Sequence, residues 1–255
     1  MLKKRIIPTM LWKNFGLVKG KKFDSWRRVG AVLPSIKIYN SRNVDELFLL
    51  DISATAQKRE PDELSIKSFS LECAVPFCVG GGISRLSQIE YLLSSGADKV
   101  CINSEAYKNP KFIDEAVKIF GSQCIVVSID YMKVENNKKC FSNSGTLLVD
   151  KNPIEWAKEM EQMGCGEILF TSIDNDGTLE GYDLEELSKL NELLKIPIIA
   201  SGGAGKLEDF LSLFNIPNIS GAAAASIFHF TEVTPKMIKD KLSKKNIPVR
   251  DMFVK

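Results

Sequence analysis

A chain of 255 residues can bury a large core, and α/β barrels commonly reach this size as one unit, so length alone does not demand two domains. A net charge of +2 advertises no general affinity for nucleic acid, and no apolar run reaches the ~18 residues of a membrane span. Six cysteines with no two-residue spacing, and a single histidine (His229), argue against a zinc site; with no signal peptide either, a reduced, cytoplasmic protein without metal or cofactor is expected.

Along the chain, apolar runs recur with amphipathic segments between them. The first strand reads RIIPTML (5–11), followed by ELFLLDI (46–52), PFCVGGG (76–82) and KVCINS (99–104). The second four are CIVVSID (124–130), EILFTSID (167–174), IPIIASGG (196–203) and GAAAASIF (221–228). Continuous rather than alternating apolarity marks strands covered on both faces, hence a parallel sheet. Helical patterns fill 84–96, 110–121, 152–164 and 183–194, with Ser84 and Asp183 as candidate N-caps and Gly96, Gly121 and Gly164 as candidate C-caps. Eight β/α units imply a closed (β/α)8 TIM barrel spanning 1–255 as a single domain, with a doubly wound open sheet as the alternative.

An internal repeat runs through these units. Glu46 pairs with Glu167, and Gly82 with Gly203, each 121 residues apart, so the barrel is expected to consist of two half-barrels. At a similar offset Leu11 falls opposite Asp130. One strand therefore presents a carboxylate where its counterpart presents a leucine.

Strand carboxyl ends form the active face of such a barrel. They bring Leu11, Asp51, Gly82, Asn103 and Ser104 from the first half, and Asp130, Thr171, Asp176, Gly177, Ser201, Gly203, Ala225 and Ser226 from the second. VGGGIS and ASGGAGK join strands to helix N-termini, where bare amides can hold a phosphate, and INSEA and AAASIF close the neighbouring strands. One phosphate cradle in each half implies a long ligand with a phosphate at either end. Asp130 reads either as a structural acceptor or as a general acid or base. Asp51 could do either job, and Asp176 within DNDG could be turn chemistry. At the other barrel end Arg5, Glu46, Lys99 and Glu167 stand at the beginnings of strands. They could pair as a purely structural ring, or gate a passage through the barrel.

In order and spacing, KRIIP, ELFLLDI, PFCVGGGI, GADKVCIN, FGSQCIVVSID, GEILFTSIDNDGT, GYD, PIIASGGAGK and SIFHF resemble HisF, the cyclase subunit of imidazole glycerol phosphate synthase. The resemblance covers nearly the whole chain. It implies a heterodimer with a HisH-type glutaminase, whose ammonia enters the barrel base through the gate Arg5, Glu46, Lys99 and Glu167. At the top, ammonia would attack the bis-phosphorylated phosphoribulosyl-formimino-AICAR ribotide, giving imidazole glycerol phosphate and AICAR ribotide. Carried over by position, Asp98 falls at the glutaminase interface and Lys19 on the mobile first loop. Gly82, Asn103 and Ser104 match the contacts of one phosphate, and Asp176, Gly177, Gly203, Ala225 and Ser226 those of the other. Asp130 matches one of two catalytic aspartates.

The second aspartate of the family belongs at position 11, where this chain has leucine, and the usual GDP after the first loop reads GAV (30–32). Leucine carries no proton, and loss of a positioned acid or base typically costs ~10²–10⁴-fold in rate. Two expectations follow. One is a HisF-type cyclase with another proton carrier, Asp51 being a candidate. The other is an ammonia-conducting HisF-like partner of a glutaminase that feeds a separate sugar amidotransferase of bacterial surface-polysaccharide synthesis. A purely structural barrel is a third, disfavoured by the intact ring.

Overall fold

The computed structural model of the chain describes residues 3–14 and 16–250. Positions 1, 2, 15 and 251–255 of the expected barrel span lie outside the described residues. Twelve strands form one sheet: β1 (Arg5–Lys13), β2 (Gly16–Lys21), β3 (Asp24–Gly30), β4 (Leu47–Asp51), β5 (Phe77–Gly80), β6 (Lys99–Ile102), β7 (Ile125–Val134), β8 (Asn137–Ser142), β9 (Leu147–Val149), β10 (Glu167–Ser172), β11 (Ile198–Ser201) and β12 (Ile219–Ala224). The helices are α1 (Val32–Ser41), α2 (Glu63–Glu72), α3 (Leu86–Ser94), α4 (Ser104–Lys108), α5 (Lys111–Phe120), α6 (Pro153–Gln162), α7 (Leu184–Leu193), α8 (Leu207–Phe214), α9 (Ile227–Phe230) and α10 (Pro235–Ser243).

Eight of the strands pair in parallel in the order β1, β4, β5, β6, β7, β10, β11, β12, and β12 pairs back to β1. That closure is the (β/α)8 barrel the apolar runs predict. The half-barrel repeat is equally visible. Each half inserts an antiparallel hairpin after its first strand: β2 pairs with β1, and β8 pairs with β7. Those insertions carry polar, turn-rich sequence and had no strand signal in the reading above.

Several boundaries differ from expectation. β1 continues past Leu11 to Lys13, and β7 past Asp130 to Val134, because both strands run on into their hairpins. β12 stops at Ala224, and Ile227 and Phe228, expected as strand, begin the short α9. Arg85, not Ser84, is the N-cap residue of α3; Asp183 caps α7, its carboxylate accepting from the Glu186 amide. Gly96 and Gly164 stand one residue beyond their C-caps with positive φ, where a left-handed glycine ends a helix.

Two layers of core result. Between strands and helices lies a continuous apolar shell, in which Trp156 stacks on Tyr107 with ring centroids 4.9 Å apart. Inside the barrel is a second cluster with one residue from every barrel strand. Ile7, Phe48, Cys78 and Cys101 come from the first half, and Val126, Leu169, Ile199 and Ala223 from the second. Side chains alternate across a strand, so the same faces of β1 and β7 carry Thr9, Leu11, Ser128 and Asp130 upward from this belt. Trp12 points the other way and packs edge-on against Phe69 of α2, ring centroids 5.6 Å apart.

Candidate active site

Below the apolar belt, the four expected charges meet. Arg5 places one guanidinium nitrogen 2.6 Å from Glu46 Oε2 and the other 2.6 Å from Glu167 Oε1. Lys99 Nζ lies 2.7 Å from Glu167 Oε2 and 2.9 Å from Glu46 Oε1, the latter an ion pair without hydrogen-bond alignment. Cation and anion alternate around a closed ring. Burial works against each charge, but the opposite neighbours outweigh it: Glu167 is held below the usual carboxylate range, and Arg5 and Lys99 are raised. Asp98 sits exposed at the same end. Its carboxylate accepts from the Phe77 amide at 2.8 Å and ties the base of β5 to β6.

Above the belt, the strand ends open into one cavity. Every mouth residue expected from the sequence, Lys19 excepted, lines it: Asp51, Gly82, Asn103, Ser104, Asp130, Thr171, Asp176, Gly177, Ser201, Gly203, Ala225 and Ser226. Leu11 lines it as well. Asp130 is buried, accepting from Ser128 Oγ and from Asn103 Nδ2, each at 3.2 Å. Burial pushes its pKa up to about 7 against the hydrogen bonds of Ser128 and Thr171, and the nearby Asp176 carboxylate adds to the rise. Burial likewise raises Asp176 to about 6 against the attraction of Lys19. A carboxyl group poised near neutrality suits general acid–base work.

Asp51 is differently placed. Its Oδ1 accepts from the Ser53 amide, the Ser53 hydroxyl and the Ala54 amide at 2.9, 2.8 and 3.1 Å, and its Oδ2 from Arg59 at 3.0 Å. That network organises the loop after β4.

The cradles are shaped by backbone. Gly203 has φ +109°, and a Cβ there would strike the Gly181 carbonyl; the Gly181 amide in turn donates to Gly203 O at 2.8 Å. Gly177 has φ +70°, and a Cβ would strike the Gly20 carbonyl of the β2–β3 hairpin. Only glycine tolerates both the left-handed backbone and the close approach.

Residues that strand-end reasoning missed come mostly from the hairpins. Phe23 and Trp26 line the cavity because the β2–β3 hairpin folds over the mouth. The Lys22 amide donates to Asp176 O at 2.8 Å, and the Arg27 guanidinium lies 3.8 Å over the Phe230 ring. From the β8–β9 side, the Asn143 amide donates to Ser104 Oγ at 3.0 Å, and Ser144 Oγ to Ile52 O at 2.7 Å. Thr9 and Ser128 also line the cavity; their signal was available, since each lies two residues before a mouth residue and shares its face.

Fold and site together define a (β/α)8 barrel with a charged ring at one end and a glycine-cradled, carboxylate-bearing cavity at the other. Residues 5–234 match the family model described as histidine biosynthesis protein. Subunit HisF of imidazole glycerol phosphate synthase from Flavobacterium johnsoniae is 44% identical over 250 residues, covering 98% of this chain and 100% of the relative. The HisF subunit of Phocaeicola vulgatus is 44% identical with the same coverage. A putative imidazole glycerol phosphate synthase subunit hisF2 of Campylobacter jejuni is 45% identical, covering 98% of this chain and 99% of the relative. The chain belongs to the HisF family of histidine-biosynthesis proteins.

Proposed function

We propose that this chain is a HisF-type synthase subunit that uses ammonia from a HisH-type glutaminase to convert phosphoribulosyl-formimino-AICAR ribotide into imidazole glycerol phosphate and AICAR ribotide. The observation that carries this reading is the single cavity in which Asp130, buried and shifted to about pH 7, stands between two glycine-shaped strand-end clusters. A ligand with a phosphate at each end would lie across the mouth, on Gly82, Asn103 and Ser104 at one side and on Gly177, Gly203, Ala225 and Ser226 at the other. Thr171 and Ser201 supply hydroxyls between. The ring of Arg5, Glu46, Lys99 and Glu167 would gate ammonia entering from the face that carries Asp98.

One observation favours a second reading. Leu11 stands where relatives of this type would place a second carboxylate, and the ring below is intact. In that reading the barrel activates a glutaminase and hands ammonia to a separate sugar amidotransferase. Ammonium-driven turnover of the family substrate by the purified chain separates the two. Turnover that disappears in Asp130→Asn supports the cyclase. Absence of turnover, with activity appearing in Leu11→Asp, assigns the chain to ammonia transfer.

A further inference from the structure

Beside the mouth lies a second cavity, of about 300 Å³, that has no part in the reading so far. It shares Thr55, Gly82, Ile83 and Ser104 with the mouth, so the wall that forms the first cradle is the boundary between the two. The rest of its wall comes from the loop after β4, the start of α3, and α4. Four cations from these three elements converge on it: Lys58 and Arg59 of the loop, Arg85 at the N-cap of α3, and Lys108 at the end of α4. Among the described residues Ile83 is its one apolar side chain, and it has no aromatic ring, whereas the mouth has Phe23 and Trp26.

Hydrogen bonds and close backbone contacts hold the walls in place. Arg59 donates to Asp51 Oδ2 and Ser53 Oγ, each at 3.0 Å. Its main-chain oxygen lies so near Gly82, at φ +73°, that a Cβ there would meet it at 2.6 Å; the loop therefore rests directly on the cradle. Gln88 is buried, and its Oε1 accepts from the Ser84 and Arg85 amides at 2.9 and 3.1 Å, which fixes the start of α3. The four cations are unequally satisfied. Arg59 is spent on Asp51. Arg85 pairs with Glu60, but both side chains are more than half exposed, and Lys108 reaches Glu105 only at 3.7 Å. Exposed pairs of this kind hold weakly. Lys58 has no ion-pair partner among the described residues, and its backbone sits at φ +52°, a region a lysine rarely adopts.

We propose that this cavity takes the outer phosphoryl group of a diphosphate whose inner phosphoryl lies on Gly82, Asn103 and Ser104. The inference goes beyond the reading above and rests on its first cradle, not on Asp130. A glycine cradle holds a phosphoryl by its backbone amides. A lone phosphate on that cradle leaves Lys58 and Lys108 unused. A second phosphoryl across the shared wall meets Lys58, Arg85 and Lys108, and hydrogen bonds between such cations and a phosphate are the strong ones. A wall with one apolar side chain offers nothing to the faces of a sugar or a base. The occupant is therefore the compact charged end of a ligand, and any body it carries lies in the mouth.

The test is calorimetric titration of the full chain with orthophosphate and with pyrophosphate, repeated for Lys58→Gln/Lys108→Gln and for Lys133→Gln. Lys58 and Lys108 are exposed, so the double variant leaves the core alone; Lys133 is exposed and lines neither cavity. Pyrophosphate should bind the parent about tenfold more tightly than orthophosphate. The double variant should bring the two within about threefold while leaving orthophosphate affinity unchanged, and Lys133→Gln should change neither. Three results overturn the proposal: pyrophosphate within about threefold of orthophosphate in the parent, an advantage that survives the double variant, or an equal loss in Lys133→Gln, which would mean net charge alone matters. ADP, the same end carried on a nucleoside, separates the two sources: displacement of pyrophosphate by ADP assigns an ester with its body in the mouth, and no displacement a free diphosphate. A parent that binds no orthophosphate sinks the first cradle and this proposal together; one that binds it but does not prefer pyrophosphate sinks this proposal alone.

Discussion

Replacing Asp130 by asparagine should stabilise the protein at neutral and alkaline pH. The Asp130 pKa is raised from 3.8 to about 7, chiefly by burial. A raised carboxyl pKa means the folded protein keeps a proton that the unfolded chain has lost between those values. Stability therefore falls as pH rises from about 4 to about 7 and is level beyond. At ~1.4 kcal/mol for each pKa unit, the full penalty at pH 8 is roughly 4 kcal/mol. Asparagine carries no such penalty, but its amide presents a donor where Ser128 Oγ and Asn103 Nδ2 now both donate. One mismatched hydrogen bond costs about 1 kcal/mol. The net expectation is a variant about 3 kcal/mol more stable at pH 8 and about 0.5 kcal/mol less stable at pH 4, with the curves crossing near pH 4.5. Urea unfolding of both proteins at half-unit steps from pH 4 to pH 8 measures this directly. A stability difference that does not change with pH would refute the argument, because it would mean Asp130 ionises in the folded protein as it does in the unfolded chain.

At the opposite end, Glu167→Gln leaves Arg5 and Lys99 sharing the single carboxylate of Glu46. Breaking one member out of a buried charge network typically costs ~3–5 kcal/mol, so a large drop in thermal midpoint is expected, and one within 1 °C of the parent would show the ring to be hydrated and weakly coupled. Gly203→Ala should abolish binding of a bis-phosphorylated ligand at the second cradle, since the methyl group collides with the Gly181 carbonyl at φ +109°. Calorimetric titration with the family substrate checks it; unchanged affinity would remove Gly203 from the cradle.

Much of this was legible in the residue order, for a physical reason. Strands buried on both faces must be apolar throughout, so the eight barrel strands stood out, and the shared spacing of Glu46 with Glu167 and of Gly82 with Gly203 exposed the repeat. Strand ends in a barrel converge geometrically, which is why residues as far apart as Gly82 and Ser226 line one cavity. The hairpins were not legible. The polar run around Lys19 carries no apolar signal, yet closure of the β2–β3 hairpin buries Lys19 while Lys21 and Lys22 stay exposed. Burial of that amine is a tertiary outcome: the hairpin folds back on β1, and the amine donates to the Thr9 main-chain oxygen. The hydrogen bonds of Asp51 were hidden for a related reason. Its loop, SATAQKR, looks like an unstructured connection but folds back so that Ser53, Ala54 and Arg59 all donate to it.

The scaffold places no demand of its own on the side chain at position 11. β1 pairs through its backbone on both sides there, with Leu50 on β4 and Val18 on β2, so the side chain is free to vary. A carboxylate at this point would join Asp51, Asp130 and Asp176 in one cavity and add like charge to a site where two of the three are already hard to ionise. With leucine there, burial has only Asp176 to oppose it at Lys19, and the amine comes within reach of neutral pH.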